Sequence, residues 1–157
     1  MTNEKHKVFI DSSILVEFRK HSRTELLLHL LDNPNLDLVI NSVVLSEYTF
    51  HLLAIEGKKA PRTIKENQQI PEILTTDRPQ SFLSIFTVLE NGNEVIPVYL
   101  RMMESYNLLP NDALILATCK LHNIKMLASH DATDFETACS AENLILIQTP
   151  EDFISNH

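Results

Sequence analysis

Four short apolar runs, the first three followed by helix-like sequence, limit what this chain can fold into more than any other feature. They lie within residues 7–11, 37–40, 125–128 and 144–147, and include Val8-Phe9-Ile10, Leu38-Val39-Ile40, Met126-Leu127-Ala128 and Leu144-Ile145-Leu146-Ile147. Apolar residues at successive positions over so short a run read as a strand buried on both faces, as in a parallel sheet. Between the runs the apolar spacing turns helical. Ile14, Leu15 and Phe18 follow the first run, a second helix spans Thr24 to Leu31, and Val44, Tyr48, Leu52 and Ile55 recur until Gly57. This βα repetition predicts an α/β fold with a mostly parallel sheet covered by helices.

The middle of the chain breaks the rhythm. Residues 58–80 hold Pro61, Pro71 and Pro79 and little apolar content, which predicts a loop-rich insertion with at most a short helix after Pro61. Ser81 to Leu89 reads as a helix, Val95-Ile96 as a short extended piece and Tyr99 to Tyr106 as another helix. Residues 112–122 form the most apolar helix, and Asp134 caps a last one through Phe135 and Ala138. With 157 residues and no internal repeat, residues 1–157 are expected to form a single domain.

Composition removes several chemistries. Only Gly57 and Gly92 are glycines, so neither a P-loop nor a GxGxxG dinucleotide turn is available, and no GxSxG elbow exists. The seven histidines lack zinc-ligand spacing. Cys119 and Cys139 belong to no CxxC pattern, and Cys119 reads as a buried small hydrophobe. A net charge of −8 argues against a protein held to nucleic acid by bulk electrostatics, though not against local contact through metal ions. The polar start Met1 to Lys7 is unlike a signal peptide, and no apolar stretch approaches the roughly 20 residues a membrane span needs. A cytoplasmic protein with no membrane association is the expectation.

Carboxylates remain. Asp11 ends the first strand, Glu47 lies one turn into the helix after the second, Asp112 opens the apolar helix, and Asp131 follows the strand at 125–128. One at a time, Asp11 and Asp112 could serve as helix caps, Glu47 as a solvated face and Asp131 or Asp134 as turn residues. Together they recur where strands give way to helices, the edge at which open α/β sheets bind ligands. Acids gathered there repel one another and call for a cation; an oxygen-only site suits Mg²⁺ or Mn²⁺.

Four segments resemble the PIN-domain nucleases. They are Phe9-Ile10-Asp11-Ser12-Ser13-Ile14-Leu15, Ser42 to Glu47, Asn111 to Ala117, and Leu127-Ala128-Ser129-His130-Asp131-Ala132-Thr133-Asp134-Phe135. In length and style the chain is similar to the VapC-type toxins of bacterial toxin–antitoxin pairs. The resemblance implies a PIN-like three-layer α/β/α sandwich and a metal-dependent endoribonuclease that leaves 5′-phosphate ends. It implies an acidic quartet of Asp11, Glu47, Asp112 and Asp131, with a hydroxyl from Ser13 or Ser12 beside the first acid. Asp134 competes with Asp131 for the fourth place, and Ser129 stands where the family more often has Thr. The resemblance further implies a cognate antitoxin, whose arginine would enter the acidic pocket, and a homodimer.

Substrate contacts are expected from Lys58 and Lys59, with Arg62 and Lys65, or from Arg19, Lys20 and Arg23, against a background in which such clusters are commonly solvated. His130 reads as a surface histidine. A non-catalytic PIN-like binding or regulatory module is the alternative, opposed by the presence of all four acids. Phosphotransfer on Asp11, as in haloacid dehalogenase-like phosphatases, would need a second Asp two residues on, where Ser13 stands.

Overall fold

The computed structural model describes residues 4–156, and its centre is the strand β1 (His6–Ile10), whose Val8, Phe9 and Ile10 are fully buried. β1 pairs in parallel with β2 (Leu36–Asn41) on one side, Val8 opposite Leu38, and with β4 (Met126–Ala128) on the other, Val8 opposite Met126. β3 (Thr87–Leu89) continues outward from β2, and β5 (Ile145–Ile147) from β4. All five strands are parallel, in the order β3-β2-β1-β4-β5. Successive strands therefore run outward from β1 to β3, then cross back to β4 on the other side. The sheet order reverses between β1 and β4, where the strand ends leave a crevice.

Among the described residues, ten helices cover the sheet. α1 (Ser12–Arg19) and α2 (Glu25–Leu31) connect β1 to β2, and α3 (Ser42–Gly57) begins the passage to β3. α7 (Val95–Tyr106) and α8 (Pro110–Leu121) lead to β4, α9 (Ala132–Ala141) leads to β5, and α10 (Pro150–Asn156) ends the described chain. Right-handed crossovers put α1, α2 and α3 on one face and α7, α8 and α9 on the other. The packing agrees: α1 rests on α3 and α10 on α2, while α7 contacts both α8 and α9. The result is the expected three-layer sandwich.

The middle of the chain differs from the sequence expectation. Residues 58–80 are largely helical rather than loop-rich: they contain α4 (Pro61–Glu66), α5 (Ile70–Asp77) and the start of α6 (Pro79–Leu83). The three prolines that suggested a loop each sit in the first turn of a helix, where a missing N–H costs nothing and the fixed φ helps. Ile64 and Ile73 anchor α4 and α5 in the core. Gly57 does not stop α3 by its own conformation; Lys58 takes the left-handed position, φ 55°. A Cβ on Gly57 would overlap the Ile64 side chain, with Cγ1 at 2.8 Å, so the glycine admits Ile64.

Ser81 to Leu89 divides into α6, a turn and β3 instead of one helix, because pairing of Thr87, Val88 and Leu89 with Val39, Ile40 and Asn41 outweighs local preference. Phe82 fixes the break, stacking on Phe18 at 5.5 Å and meeting Phe86 edge-on. Val95-Ile96 belongs to α7, since Pro97 falls in a first turn whose N–H groups have no helical partners anyway.

One carboxylate ties the second helical face together. Glu142, just after α9, accepts two hydrogen bonds from the Arg101 guanidinium at 3.1 and 3.2 Å, one from the Tyr106 hydroxyl, and pairs with Lys120 at 3.5 Å. Arg101, foremost, holds its carboxyl down at about 2, below the usual carboxylate range. A depressed carboxylate adds stability that is present above the unfolded pKa and fades as pH falls through the folded one. Glu142→Gln is therefore expected to lower the melting temperature at pH 7, with the gap to wild type closing between about pH 4 and pH 2. Thermal melts across that range provide the check.

Candidate active site

Asp11 lies at the mouth of the crevice between β1 and β4. It is only 3% exposed, and its backbone N–H donates to Ala128 O at 2.9 Å, continuing the β1–β4 ladder past the strand end. It occupies the position before α1, yet its carboxylate makes no capping hydrogen bond. Instead Oδ2 accepts the hydroxyls of Ser13 at 2.7 Å and Ser129 at 2.8 Å. Each serine also accepts a backbone N–H, Ser13 from across the crevice and Ser129 from its own loop. Ser13 Oγ accepts the His130 backbone N–H at 3.0 Å, and Ser129 Oγ accepts that of Asp131 at 2.9 Å. The loop after β1 and the loop after β4 are thus cross-braced through one carboxylate oxygen. Burial raises the Asp11 pKa, the two hydroxyls oppose that, and the charges of Asp131 and Glu47 add to it.

Glu47 and Asp112 enter from opposite helical layers. Glu47 sits in the second turn of α3, where Ser12 Oγ donates to its Oε1 at 3.2 Å. Asp112 is in the first turn of α8, but the helix follows α7 and not a strand, so the sequence pattern of one acid per strand end holds only in part. What registers the two helices is a residue that sequence reading passed over. Asn41, 3% exposed at the end of β2, caps α3 by accepting the Val44 N–H at 3.1 Å. Its amide donates to Thr118 Oγ1 of α8 at 3.0 Å. The sequence signal was an Asn placed between a strand and a helix, which announces the cap but not the bond to a helix 77 residues away.

Asp131 and Asp134 both face the cluster. Asp131 precedes α9 without a side-chain capping bond, as Asp11 precedes α1. Asp131 acts on Asp11, whereas at Asp112 the influence of Asp134 exceeds that of Asp131. His130 is half-buried rather than superficial, and burial, then the Arg23 charge, lowers its pKa. Lys58 and Lys59 are exposed at the far end of α3, eleven residues beyond Glu47 and roughly 17 Å along the helix. Arg19 forms ion pairs with Glu56 and Asp77. Cys119 and Cys139 are buried free thiols, and burial pushes Cys139 up to about 12.

The donor set suits a hard cation. Burial first, then the charges of Asp11, Asp134, Glu47 and Asp131, push the Asp112 carboxyl up to about 7. Among the described residues, no three acids stand close enough to cage an ion unaided. Mg²⁺ keeps several waters and takes one or two carboxylates plus substrate phosphate, so it does not require a full protein cage. Asp11 fits such a role, because its Oδ1 receives no hydrogen bond among the described residues while Oδ2 takes both.

Five parallel strands in this order, with acids converging at the reversal point, are the arrangement of a PIN domain. The chain belongs to the PIN-domain family, whose model matches residues 8–139. It is 32% identical over 130 residues to Ribonuclease VapC2 of Methanocaldococcus jannaschii, covering 82% of this chain and 87% of that protein. To Ribonuclease VapC6 of the same organism it is 34% identical over 142 residues, covering 82% and 90%. Among solved structures, a toxin–antitoxin complex from Klebsiella pneumoniae aligns with a TM-score of 0.60 at 21% identity over 91% of this chain and 97% of that one. VapBC2 from Rickettsia felis, bound to a promoter DNA fragment, aligns at 0.59 and 22% identity over 89% and 96%. These structures share the fold.

Because the Asp112 carboxyl is raised, its contribution to stability is present below the ordinary carboxylate pKa and is lost as pH rises through about 7. With divalent ions chelated, Asp112→Asn is expected to melt at a higher temperature than wild type at pH 8 and to match it near pH 4. A lower melting temperature at pH 8 would mean that Asp112 is not held against its neighbours' charge.

Proposed function

We propose that the chain is an endoribonuclease dependent on Mg²⁺ or Mn²⁺, and the toxin of a toxin–antitoxin pair. The observation that carries this reading is the convergence of Asp11, Glu47, Asp112 and Asp131 on the sheet's reversal point, with Asp112 driven to about 7 by burial and the other acids. The names of the archaeal relatives, both ribonucleases, supply the substrate class.

When bound, a divalent ion would polarise the scissile phosphate and lower the pKa of a water molecule, the chemistry of metal-assisted hydrolysis. The chain's own residues do the rest. Asp11, clamped by Ser13 and Ser129, offers Oδ1 in a fixed direction. Glu47, steadied by Ser12, and Asp112 present carboxylates from the opposite walls, so the phosphate is held between the two helical layers. Asp112, raised to about 7, still carries a proton part of the time at neutral pH and would release it when positive charge arrives. Asp131 completes the quartet beside Asp11, and Asp134 supports it from the Asp112 side. Lys58 and Lys59 would reach only RNA extending well past the scissile bond.

The same reading gives the chain a cognate antitoxin, for which the negative crevice is an electrostatic match to an arginine, a homodimeric state and a cytoplasmic location. Among the described residues no helix is long and apolar enough to cross a membrane.

Purified protein incubated with a mixed pool of structured RNAs should cut in Mn²⁺, stop in EDTA, and lose at least about a hundredfold in rate as Asp112→Asn, the scale on which transition-state charge stabilisation is lost. Cleavage that survives both EDTA and the substitution would refute the metal-carboxylate mechanism.

A further inference from the structure

Lysines gather at the edge of the sheet opposite the acids. Lys5, Lys7 and Lys125 line a cavity of about 290 Å³ where β1 and β4 begin, together with His122 from the end of α8. Asp11 follows the other end of β1, four residues and roughly 13 Å beyond Lys7. Among the described residues, Glu4 is the one acid lining the cavity. All three lysines are exposed, and none forms an ion pair among the described residues. In a chain of net charge −8, this cavity reverses the local sign. The strand register makes the crowding specific. Val8 pairs with Met126, so Lys7 and Lys125 fall side by side one step earlier. The ladder reaches that far, because Lys125 O accepts the Ile145 N–H at 2.8 Å. Neighbouring strands lie about 4.8 Å apart, and like charges at facing positions of a sheet destabilise it. On its other side Lys7 is in register with Asp37, but that carboxylate accepts the Thr87 hydroxyl at 2.7 Å and is not part of the cavity lining. A helix C-terminus attracts cations by itself, which accounts for Lys120 in the last turn of α8, paired with Glu142. It does not account for Lys5 and Lys7, which stand where a strand begins.

We infer that this cavity binds a phosphate group through Lys5, Lys7 and Lys125, at a site separate from the acidic crevice. The inference goes beyond the ribonuclease reading and does not depend on it. An ammonium group carries three donors and no acceptor, so three of them around one cavity call for a ligand rich in acceptor oxygens. A phosphate supplies those oxygens together with the negative charge that relieves the Lys7–Lys125 repulsion. Lysine suits the task because its charge is compact and its stem flexible, so no fixed bidentate geometry is demanded of the ligand. The cavity lies near the lower end of the range for small-molecule sites, roughly 300 Å³ upward, and so has room for a phosphate with its sugar. Free phosphate esters and a nucleic acid backbone both carry the group, and the chemistry that holds it is the same for either source.

The test uses the full chain in metal-free buffer, so that no cation draws phosphate to the acids. Inorganic phosphate, adenosine 5′-monophosphate and a short fluorescent RNA of mixed sequence are titrated separately. Backbone amide NMR shifts locate the binding, and fluorescence anisotropy over a salt series measures it for the RNA. The amide signals of residues 5–7 and 122–126 are expected to move with at least one of the three. Lys7→Gln combined with Lys125→Gln should abolish those shifts and flatten the salt dependence of RNA binding by about 0.7 for each lysine removed. Lys7→Arg should keep both. Lys58→Gln combined with Lys59→Gln removes the same charge at the end of α3 and should leave the shifts at residues 5–7 and 122–126 unchanged. RNA binding clearly tighter than that of the nucleotide assigns the site to a nucleic acid backbone, and equal binding assigns it to small phosphate esters. Signals of residues 5–7 and 122–126 that stay still with all three ligands overturn the inference. So does a loss of RNA binding from the Lys58 and Lys59 pair equal to that from the Lys7 and Lys125 pair, since that would be an effect of net charge alone.

Discussion

Two serine hydroxyls pointing at one buried carboxylate oxygen hold the centre of this molecule. Ser13 and Ser129 both donate to Asp11 Oδ2, and each accepts a backbone N–H, Ser13 from the opposite loop and Ser129 from its own. A hydroxyl can donate once and still accept, and here both capacities are used. The carboxylate is thereby oriented, and the end of β1 is locked to the end of β4 where the sheet order reverses. A buried, charged oxygen tolerates such a place only when it is hydrogen-bonded. Loss of either hydroxyl would leave a backbone donor and the acid short of a partner together.

The remaining acids arrive at this fixed point from separate layers, and their placement is a second-order consequence of helix registration. Glu47 rides on α3 and Asp112 on α8, and Asn41 touches both helices by capping the first and donating to Thr118 of the second. Repulsion across the crevice works against that tether, and it adds to burial, the larger cause, in raising the Asp112 carboxyl to about 7. A cation would relieve the repulsion and tighten the same geometry, as the proposed metal-assisted hydrolysis requires.

The sheet's inner strands were legible in the sequence because they are buried on both faces, and a run such as Val8-Phe9-Ile10 admits few other readings. The four principal acids were legible as a pattern. β3 was not, because three residues at the edge, two of them exposed, carry no periodic signal and gain their identity from pairing with β2. The helices at 61–66 and 70–77 were hidden by the very prolines that start them. Nor could spacing reveal Asn41 as the link between two walls of the site, since the bond to Thr118 depends on how α8 crosses the sheet. Asp131 acts on both Asp11 and Asp112, while Asp134 acts on Asp112, and there more strongly than Asp131 does.

The most direct measurement is the thermal shift produced by Mn²⁺ at pH 7 for wild type and Asp11→Asn. If the acids form one site that a cation relaxes around Asp11, the wild-type melting temperature rises with ion concentration by mass action, and the variant responds weakly or not at all. An equal rise in both proteins, or none in the wild type, would contradict a metal site organised on Asp11.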